Sequence, residues 1–428
     1  MNISSKDTSL RVAILHPELG VGGGERVIVD AALQLQKAGH KVTIFTTHRD
    51  RNNCFEETSN GTLDVRVHGD FLPSHIGGHL RAPCTIARMA HLACASLLGG
   101  DRFDVVFCDL VPHVIPLIRF FSRAKIVFYC HYPDRLLSLP RDLPTYRWYR
   151  APIDRLEEAG MRMADRVLVN SMFTASEVRR VFPRLHHVKL EVLYPGVDPA
   201  RYNSIPGESS CGNAPPQNDH GKITILSINR FERKKNIGLA IESLARLREI
   251  LPGETFNRLN LIIAGGYDGR LPESREVLRE LRRAAREMGL EQQVVFKPSC
   301  SDAERLALLS GCLCVLYTPD REHFGLVPLE AMAARRPVVA VRSGGPVETI
   351  LHAETGFLCD PTPEAFADAI LRLLSDPDEV KQMGRVGRRH AAENFSRDAF
   401  GVRLEGIMQE LAKGSSGNLS TSAGRVLR

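Results

Sequence analysis

The stretch EHFGLVPLE, from Glu322 to Glu330, places two carboxylates eight positions apart. The apolar run CLCVLY stands just before it, and Gly325 with Pro328 indicates a turn into a helix. We therefore expect Glu322 on a loop, Glu330 on a helix, and the N–H groups of Phe324 to Leu326 at the helix's positive end. Such a set could hold the sugar, phosphate and ribose of a sugar nucleotide. In isolation the two glutamates also fit an ordinary surface pair.

Two cations follow another apolar run in the same half of the chain. The segment SINRFERKKN places Arg230 and Lys235 after KITILSI, with Arg233 and Lys234 between them. Cations at the carboxyl end of a strand are well placed to hold a diphosphate leaving group. A solvated basic loop is the alternative, and we prefer it for Arg233 and Lys234.

A glycine-rich segment, HPELGVGGGER, follows the first apolar run of the chain. Four glycines precede a predicted helix that begins near Glu25: Gly20, Gly22, Gly23 and Gly24. Such a loop lets backbone N–H groups approach an anion closely. A G-x-G-x-x-G dinucleotide frame would need glycine at position 25, so an NAD site is disfavoured. A merely flexible loop is the alternative, and we interpret Glu25 with Arg26 as a structural ion pair.

Short apolar runs alternate with helix-period segments along the whole chain. The runs are RVAILH, KVTIFTT, DVVFCD, KIVFYC, RVLVN, KITILSI, LNLIIAGG, QVVFK, CLCVLY and PVVAV. This alternation predicts an α/β protein of two doubly wound, Rossmann-like domains, with ligands bound at the strands' carboxyl ends in a cleft between them.

A segment rich in Pro, Gly, Ser and Asn interrupts the series and predicts an inter-domain linker. The predicted organisation has five parts: an N-terminal domain over 1–201, a linker over 202–221, a C-terminal domain over 222–394, a helix over 395–412 that packs back on the N-terminal domain, and a disordered tail over 413–428.

Composition excludes several classes of protein. A net charge of +6 over 428 residues, with Lys and Arg scattered among acids, does not indicate a nucleic-acid partner. The longest uncharged run, from Leu306 to Pro319, is shorter than the ~18 residues of a spanning helix, and the start of the chain lacks a signal-type apolar segment. We therefore expect a protein that faces the cytosol.

Metal and disulfide sites are not indicated. No C-x-x-C pair occurs, and four of the ten cysteines lie in apolar runs, so we interpret them as buried reduced thiols: Cys108, Cys130, Cys312 and Cys314. The one D-x-D string, Asp376-Pro-Asp378, lies between helical patterns and reads as a helix cap, not a manganese site.

These motifs together resemble the retaining glycosyltransferases of family 4, which have the two-domain GT-B fold. The resemblance rests on E-x-F-G-x-x-x-x-E, the R-x-x-x-x-K pair and the glycine-rich loop, and it extends to about residue 410. With FYCHYPD, YRAPID, LVNSMFTA and AGGYD, the chain is similar more narrowly to the α-1,3/α-1,6-mannosyltransferases of the dolichol pathway.

The resemblance implies an activity and a setting. The donor would be GDP-mannose, and the acceptor Man1GlcNAc2-diphosphodolichol would receive α-1,3- and α-1,6-linked mannose to give the Man3 product. The enzyme would retain anomeric configuration, need no metal, and work at the cytosolic face of the endoplasmic reticulum membrane. Other mannosyltransferases of the pathway are candidate partners.

The resemblance also implies roles for matched residues. In the C-terminal domain, which would bind the nucleotide sugar, Glu330 would bind the ribose and Glu322 the donor mannose. Arg230 and Lys235 would neutralise the departing diphosphate.

In the N-terminal domain, on the acceptor side, Gly22 and Gly23 would let a loop approach that diphosphate. His131 of FYCHYPD would lie near the anomeric carbon.

A segment rich in arginine and aromatic residues, RLLSLPRDLPTYRWYR, follows His131 closely. Aromatic rings with polar edges settle at lipid headgroups, and arginines bind anionic leaflets. We therefore predict a membrane or acceptor contact through Arg141, Arg147 and Trp148. The alternative is that Trp148 and Tyr149 pack a helix into the core.

Three other functions remain open at this point. A sugar-nucleotide epimerase shares the architecture but needs no lipid acceptor. A catalytically dead scaffold of a transferase complex would not need the intact set of charged residues. An α-1,2-mannosyltransferase of the same pathway would differ in the linkage it forms.

Overall fold

The computed structural model describes residues 9–50, 54–77, 79–137, 144–203 and 221–413, without the side chains of 144–147. The chain divides into two compact units. The N-terminal domain comprises Met1–Val169, Glu177–Leu193 and Phe400–Arg428, and the C-terminal domain comprises Asn170–Ser176 and Tyr194–Ala399. The predicted linker and tail lie, apart from their end residues, outside the described part of the chain.

The first half of the chain alternates strands and helices as its apolar runs predict. In order, the elements are β1 Arg11–Leu19, α1 Gly23–Lys37, β2 Lys41–Arg49, α2 Glu56–Ser59, β3 Asp64–Val67, α3 Arg81–Leu98, β4 Val105–Asp109, α4 Ile115–Phe121, β5 Lys125–Cys130, α5 Asp134–Leu137, α6 Pro144–Met163, β6 Arg166–Val169, α7 Met172–Val181 and β7 Leu190–Val192. The strands form one parallel sheet in the order β3-β2-β1-β4-β5-β6-β7.

The second half builds another parallel sheet in the order β10-β9-β8-β11-β12-β13. Its elements are β8 Ile223–Ile228, α8 Gly238–Ile250, α9 Gly253–Asn257, β9 Leu259–Gly265, α10 Pro272–Glu287, β10 Val294–Pro298, α11 Asp302–Gly311, β11 Cys314–Tyr317, α12 Leu326–Ala333, β12 Val338–Val341, α13 Pro346–Thr349, β13 Gly356–Cys359, α14 Pro363–Ser375, α15 Pro377–Asn394 and α16 Arg397–Ala412. Two doubly wound α/β domains are therefore confirmed.

Each sheet has a point where its strand order reverses. The reversal lies between β1 and β4 in the N-terminal domain and between β8 and β11 in the C-terminal domain. Loops that leave neighbouring strands in opposite directions open a crevice at such a point, and ligands of doubly wound sheets bind there. We therefore expect ligands to bind at the loops after β1, β4, β8 and β11.

Several expectations about cysteines and caps are confirmed. Cys108, Cys130, Cys312 and Cys314 are free, buried thiols. Asp376 caps α15, because its carboxylate accepts hydrogen bonds from the N–H groups of Asp378 and Glu379 at 3.1 and 2.9 Å. Among the helices of the described ranges, none combines the length and apolar composition that crossing a bilayer requires.

The helix α16 packs on the N-terminal domain. Its buried residues join the cluster formed by β1, α1 and the neighbouring strands: Phe400, Leu404, Ile407, Met408 and Leu411. Gly401 lets the helix approach α1 closely, since a Cβ at this position would lie 2.6 Å from the side-chain oxygen of Gln34. The hydrophobic core of the N-terminal domain thus includes residues from both ends of the sequence.

This packing predicts unequal effects of two substitutions on α16. Leu404→Ala should destabilise the protein by ~2–5 kcal/mol, because Leu404 is fully buried and its loss leaves a cavity. Val402→Ala, at a side chain that is 76% exposed, should change stability by less than about 0.5 kcal/mol. Urea unfolding of the two variants measures the difference. Equal midpoints for Leu404→Ala and the parent would contradict the packing.

Candidate active site

Lys235 and Glu322 meet at the carboxyl edge of the second sheet. Because β8 and β11 are parallel neighbours, the loops that follow them leave the sheet at the same edge. The ammonium of Lys235 forms an ion pair with the carboxylate of Glu322, and both side chains are largely buried. The hydroxyl of Thr318, just after β11, donates a hydrogen bond to the Lys235 carbonyl oxygen at 2.8 Å. The fold therefore joins two residues that lie 87 positions apart.

Lys235 favours the ionised form of Glu322. Burial alone would raise the pKa of the Glu322 carboxyl, but the charge and hydrogen bond of Lys235 outweigh burial and lower it. Burying either charge alone would be costly, so Lys235 and Glu322 each require the other as a partner. An anion that approaches Lys235 would compete with Glu322 for the ammonium.

Three glycines shape the turn between Glu322 and α12. Gly325 has φ +90°, and a Cβ there would lie 3.0 Å from the Tyr317 hydroxyl. Cβ atoms at Gly344 and Gly345, after β12, would lie 2.2 and 2.3 Å from backbone atoms of the Glu322–Gly325 turn. Gly344 and Gly345 were not predicted as part of the site, although the Gly-Gly-Pro string after the run PVVAV indicates a loop at the same edge of the sheet.

The start of α12 presents backbone N–H groups without a side-chain cap. Its first turn holds no acidic residue, and its N-cap residue, Gly325, has no side chain that could accept a hydrogen bond. The ring of Phe324 is buried and stacks on Tyr194 at 5.8 Å between centroids, so Phe324 can offer a ligand only its backbone. That Phe324 to Leu326 bind a phosphate stays a prediction.

Glu330 lies one turn into α12, on the predicted helix, and forms an ion pair with Arg305 of α11. Burial raises the pKa of Glu330, and the positive charges of Arg305 and Arg201 offset that rise only in part. Arg305 was not predicted, since nothing in a helix of ordinary composition marks one arginine as the partner of a glutamate 25 positions away.

The remaining cations of the β8 loop are exposed. Arg230 pairs with Glu232 at 3.0 Å while its side chain stays 63% exposed. Arg233 binds Glu276 and Glu280 of α10, and Lys234 binds Glu232. Both side chains are more than half exposed, which is consistent with a solvated basic loop, and the interpretation that they bind no ligand stays a prediction. Arg230 remains accessible for the predicted phosphate contact.

In the N-terminal domain, His131 lies against a buried carboxylate that the sequence analysis did not single out. Nε2 of His131, just after β5, lies 3.0 Å from Oδ1 of Asp109, the last residue of β4. Oδ2 of the same carboxylate lies 2.7 Å from Nδ1 of His16 on β1. Asp109 and His16 are almost fully buried, whereas 16% of the His131 side chain is exposed. The sequence contained a clue to His16 and Asp109, because the runs RVAILH and DVVFCD both end in a titratable residue.

The glycine-rich loop adjoins this group. A Cβ at Gly22, the N-cap of α1, would lie 2.3 Å from a carboxylate oxygen of Glu25, and one at Gly24 would lie 3.6 Å from the His131 ring. Gly23 is the first residue of α1. The expected pairing of Glu25 with Arg26 is wrong. The Arg26 guanidinium instead contacts two other carboxylates, those of Asp30 and Glu57, because these flank it on α1 and α2.

Backbone strain lies beside these residues. Three non-glycine residues with left-handed φ directly adjoin site residues: Leu110 at +62° follows Asp109, Asn236 at +46° follows Lys235, and Arg321 at +52° precedes Glu322. Such conformations persist only where the surrounding structure enforces them, and they are common at functional sites.

A second polar cluster holds the loop after His131. Glu157 of α6 accepts hydrogen bonds from the N–H groups of Asp134 and Arg135 at 2.7 and 3.1 Å. Arg150 of α6 pairs with Asp134, and His113 is close enough that His113, Asp134 and Glu157 have the spacing of metal ligands. Burial raises the pKa of Glu157 to about 8 and lowers that of His113 to about 4. Because Glu157 already binds the backbone of Asp134 and Arg135, and Asp134 already pairs with Arg150, these groups fit a clamp on the loop.

The predicted membrane contact is only partly described. Arg141 and the side chain of Arg147 lie outside the described part of the chain. Trp148, on α6, is 84% exposed, and Tyr149 is half-buried. The alternative that Trp148 packs into the core is therefore wrong, because Trp148 lies on the face of α6 opposite to the buried residues Arg150, Ile153 and Glu157.

Two family models match the two halves of the chain. Residues 21–201 match the model described as Glycosyltransferase Family 4, and residues 213–390 match Glycosyl transferases group 1. Among solved structures, sucrose-phosphate synthase from Thermosynechococcus elongatus has a TM-score of 0.74 at 21% identity, covering 95% of this chain and 100% of its own. The glycosyltransferase WaaG has a TM-score of 0.65 at 17% identity, covering 94% and 100%. These likenesses establish the GT-B fold class.

Curated relatives are closer. The alpha-1,3/1,6-mannosyltransferase ALG2 of Mus musculus is 46% identical over 405 residues, which cover 94% of this chain and 96% of that protein. The ALG2 proteins of Homo sapiens and Dictyostelium discoideum are 46% and 39% identical and cover 92% and 95% of this chain and 94% and 99% of their own lengths. The chain therefore belongs to the α-1,3/1,6-mannosyltransferase family of GT-B glycosyltransferases.

Proposed function

We propose that the chain transfers mannose from GDP-mannose to Man1GlcNAc2-diphosphodolichol, forming an α-1,3 and an α-1,6 linkage, at the cytosolic face of the endoplasmic reticulum. Membership of the family supports the reaction type and the two linkages. The observation that carries the proposal is the buried ion pair between Lys235 and Glu322 at the carboxyl edge of the second sheet.

The ion pair suggests how donor binding prepares the reaction. The diphosphate of GDP-mannose replaces Glu322 as the anion that neutralises Lys235, with Arg230 as a second cation. The Glu322 carboxylate is then available to accept hydrogen bonds from mannose hydroxyls. Glu330, held by Arg305, accepts hydrogen bonds from the ribose. Through this exchange Lys235 keeps an anionic partner, the diphosphate, and Glu322 keeps hydrogen-bond donors, the mannose hydroxyls, which limits the cost of desolvation.

Transfer with retention then needs charge stabilisation more than a protein nucleophile. The bond between the anomeric carbon and the diphosphate oxygen breaks, and the bond to the acceptor oxygen forms on the same face of the sugar. The acceptor's hydroxyl proton passes to the departing diphosphate, and GDP leaves. We assign His131 to the reacting end of the donor, and Gly22 and Gly23 to its diphosphate.

We propose further that this reaction needs no metal. Lys235, Arg230 and the N–H groups at the start of α12 supply the positive charge that a divalent ion supplies in other phosphate sites.

One assay tests the donor, the linkages and the metal together. The purified chain is incubated with GDP-mannose and phytanyl-diphosphate-linked Man1GlcNAc2 in EDTA, and the product is digested with linkage-specific mannosidases. We expect a product with two added mannoses, one α-1,3 and one α-1,6. Reactions without acceptor are the control and should leave GDP-mannose unchanged.

Each alternative gives a different result in the same assay. Conversion of GDP-mannose without acceptor indicates an epimerase. The absence of any mannose transfer indicates a scaffold. Release of the added mannose by an α-1,2-specific mannosidase indicates the α-1,2-mannosyltransferase. Activity that returns from EDTA only with manganese or magnesium contradicts metal independence.

We also propose that α6 contacts the lipid surface that carries the acceptor. Its exposed residues are apolar or cationic: Trp148, Pro152, Arg155, Leu156, Arg162 and Met163. No acid is exposed among the side chains of 148–163, since Glu157 faces the clamp and Glu158 binds the Arg184 N–H at 2.9 Å. An apolar and cationic helix face of this kind suits the interface of an anionic bilayer.

The end of α4 extends this surface. Phe120 is 81% and Phe121 42% exposed, although aromatic side chains are costly to leave in water. Arg119 joins the ends of the two helices, because its guanidinium donates to the Met163 carbonyl oxygen at 3.0 Å. The apolar residues of both helices therefore belong to one stretch of surface.

Charge reversal on α6 tests this contact. The triple variant Trp148→Ser, Arg155→Glu, Arg162→Glu should bind anionic liposomes less well in flotation and have a raised KM for lipid acceptor. The KM for GDP-mannose should not change, since each arginine contributes ~1 kcal/mol only at the membrane. The control variant carries the same charge change elsewhere, at exposed residues Val402→Ser, Arg279→Glu and Arg283→Glu. Equal flotation of the two variants would sink the proposal.

A further inference from the structure

The carboxylate of Asp109 lies between two imidazoles in the interior of the N-terminal domain. Its oxygens are 3.0 Å from Nε2 of His131 and 2.7 Å from Nδ1 of His16. All three residues stand at or near the carboxyl ends of neighbouring strands β5, β4 and β1, next to the point where the strand order reverses. Asp109 has no exposed surface, so an ionised carboxylate there requires a compensating positive charge.

The two imidazoles differ in where they can carry that charge. The side chain of His16 is 1% exposed, whereas that of His131 is 16% exposed and adjoins Gly24 of the glycine-rich loop. A proton placed on His131 pairs with Asp109 and still keeps contact with solvent, so its burial costs less. His16, through its hydrogen bond to the second oxygen, fixes the orientation of the carboxylate.

We propose that Asp109 is a positioning residue that holds His131 as an imidazolium, oriented beside the glycine-rich loop to contact an anionic substrate group. The inference deepens the proposed function, because the anion would be the donor phosphate that is bonded to the anomeric carbon, at the reacting end to which His131 is assigned. It adds His16 and Asp109 to the residues on which turnover depends, although neither needs to touch the substrate.

The surrounding charges are consistent with this assignment. Burial by itself lowers the pKa of His131, but the Asp109 carboxylate, with Glu25 of α1 acting from farther away, raises it above the ordinary value. Burial acts to raise the pKa of Asp109, and the two histidines lower it. The other titratable groups that face the carboxylate are Cys108, Tyr129 and Cys130, whose raised pKa values keep them neutral.

The proposal fixes the sign of a pH effect. If the reaction uses protonated His131, turnover is full below the pKa of His131 and falls as the pH rises through it. Asp109→Asn removes the carboxylate's charge and so lowers the pKa of His131. The alkaline limb of the kcat profile should therefore move to lower pH. At a pH above the alkaline limb of the parent, we expect the kcat of Asp109→Asn to be roughly 10- to 200-fold below that of the parent, the size of one charge-assisted hydrogen bond.

The experiment combines that profile with a direct measurement on His131. Histidine-selective ¹⁵N labelling, with His131→Gln to assign the signal, reports the protonation of the ring in the full chain. In the parent protein His131 should titrate above the ordinary histidine pKa of ~6.5. In Asp109→Asn it should titrate lower than in the parent, whereas Glu25→Gln should shift it less. Asp30→Asn, a buried carboxylate that binds Arg26, is the control for general destabilisation and should leave both the NMR titration and the alkaline limb in place.

Each result decides the inference. A His131 that titrates at or below the ordinary value in the parent overturns it, even if Asp109→Asn does not fold. An unshifted alkaline limb in a folded Asp109→Asn protein also overturns it. A parent protein that transfers no mannose refutes the proposed function instead, and the NMR titration still decides the charge of His131.

Discussion

The two domains depend on one constraint, the parallel alignment of their strands. Parallel strands bring all their carboxyl ends to one edge of a sheet, so residues far apart in sequence meet there. His16, Asp109 and His131 follow this rule in the first sheet, at β1, β4 and β5. Lys235 and Glu322 follow it in the second, after β8 and β11. The helices between the strands set the spacing, and the residues at the strand ends form the candidate site.

Charge compensation is the common property of these groups. Glu322 has Lys235, Glu330 has Arg305, and Asp109 has two histidines. A buried ion pair contributes little net stability, and its loss on one side leaves a costly unpaired charge. Such pairs are useful where a charged ligand exchanges with one member. In this account the donor diphosphate takes the place of Glu322 at Lys235. The left-handed backbone at Asn236 and Arg321, which the surrounding structure must enforce, directly adjoins both groups.

The sequence was sufficient for the repeated architecture, because short apolar runs bounded by turn residues are a direct record of buried strands. It was also sufficient for the family, because the spaced motif with Glu322, Glu330, Arg230 and Lys235 led to the same family that relatives of up to 46% identity show. The ion-pair partners were harder to predict. Asp109 and His16 are 93 positions apart, and only the strand order brings them together. Arg305 is similar, because its pairing with Glu330 depends on how α11 and α12 pack.

The sequence also did not predict which face of a helix is exposed to solvent. Periodicity shows that α6 has two faces but does not show which one is buried. The structure turns Arg150 and Glu157 inward, where they hold the loop after His131, and leaves Trp148 in solvent. A tryptophan normally favours the core. On α6 the buried face instead combines polar residues with Ile153 and Met161, so the helix holds the loop after His131 on one side and carries the proposed lipid contact on the other.

The central claim, that Lys235 neutralises the departing diphosphate, is tested most directly by comparing Lys235→Ala with Lys234→Ala. Lys234 is the matched control, a neighbouring lysine that is 58% exposed and paired with Glu232. Because negative charge on the diphosphate grows in the transition state, the account predicts that Lys235→Ala lowers kcat by roughly 10- to 200-fold and weakens GDP-mannose binding less. Lys234→Ala should behave as the parent in both measurements. A Lys235→Ala protein with unchanged kcat, or one whose only defect is a higher Kd for GDP-mannose, would contradict the account.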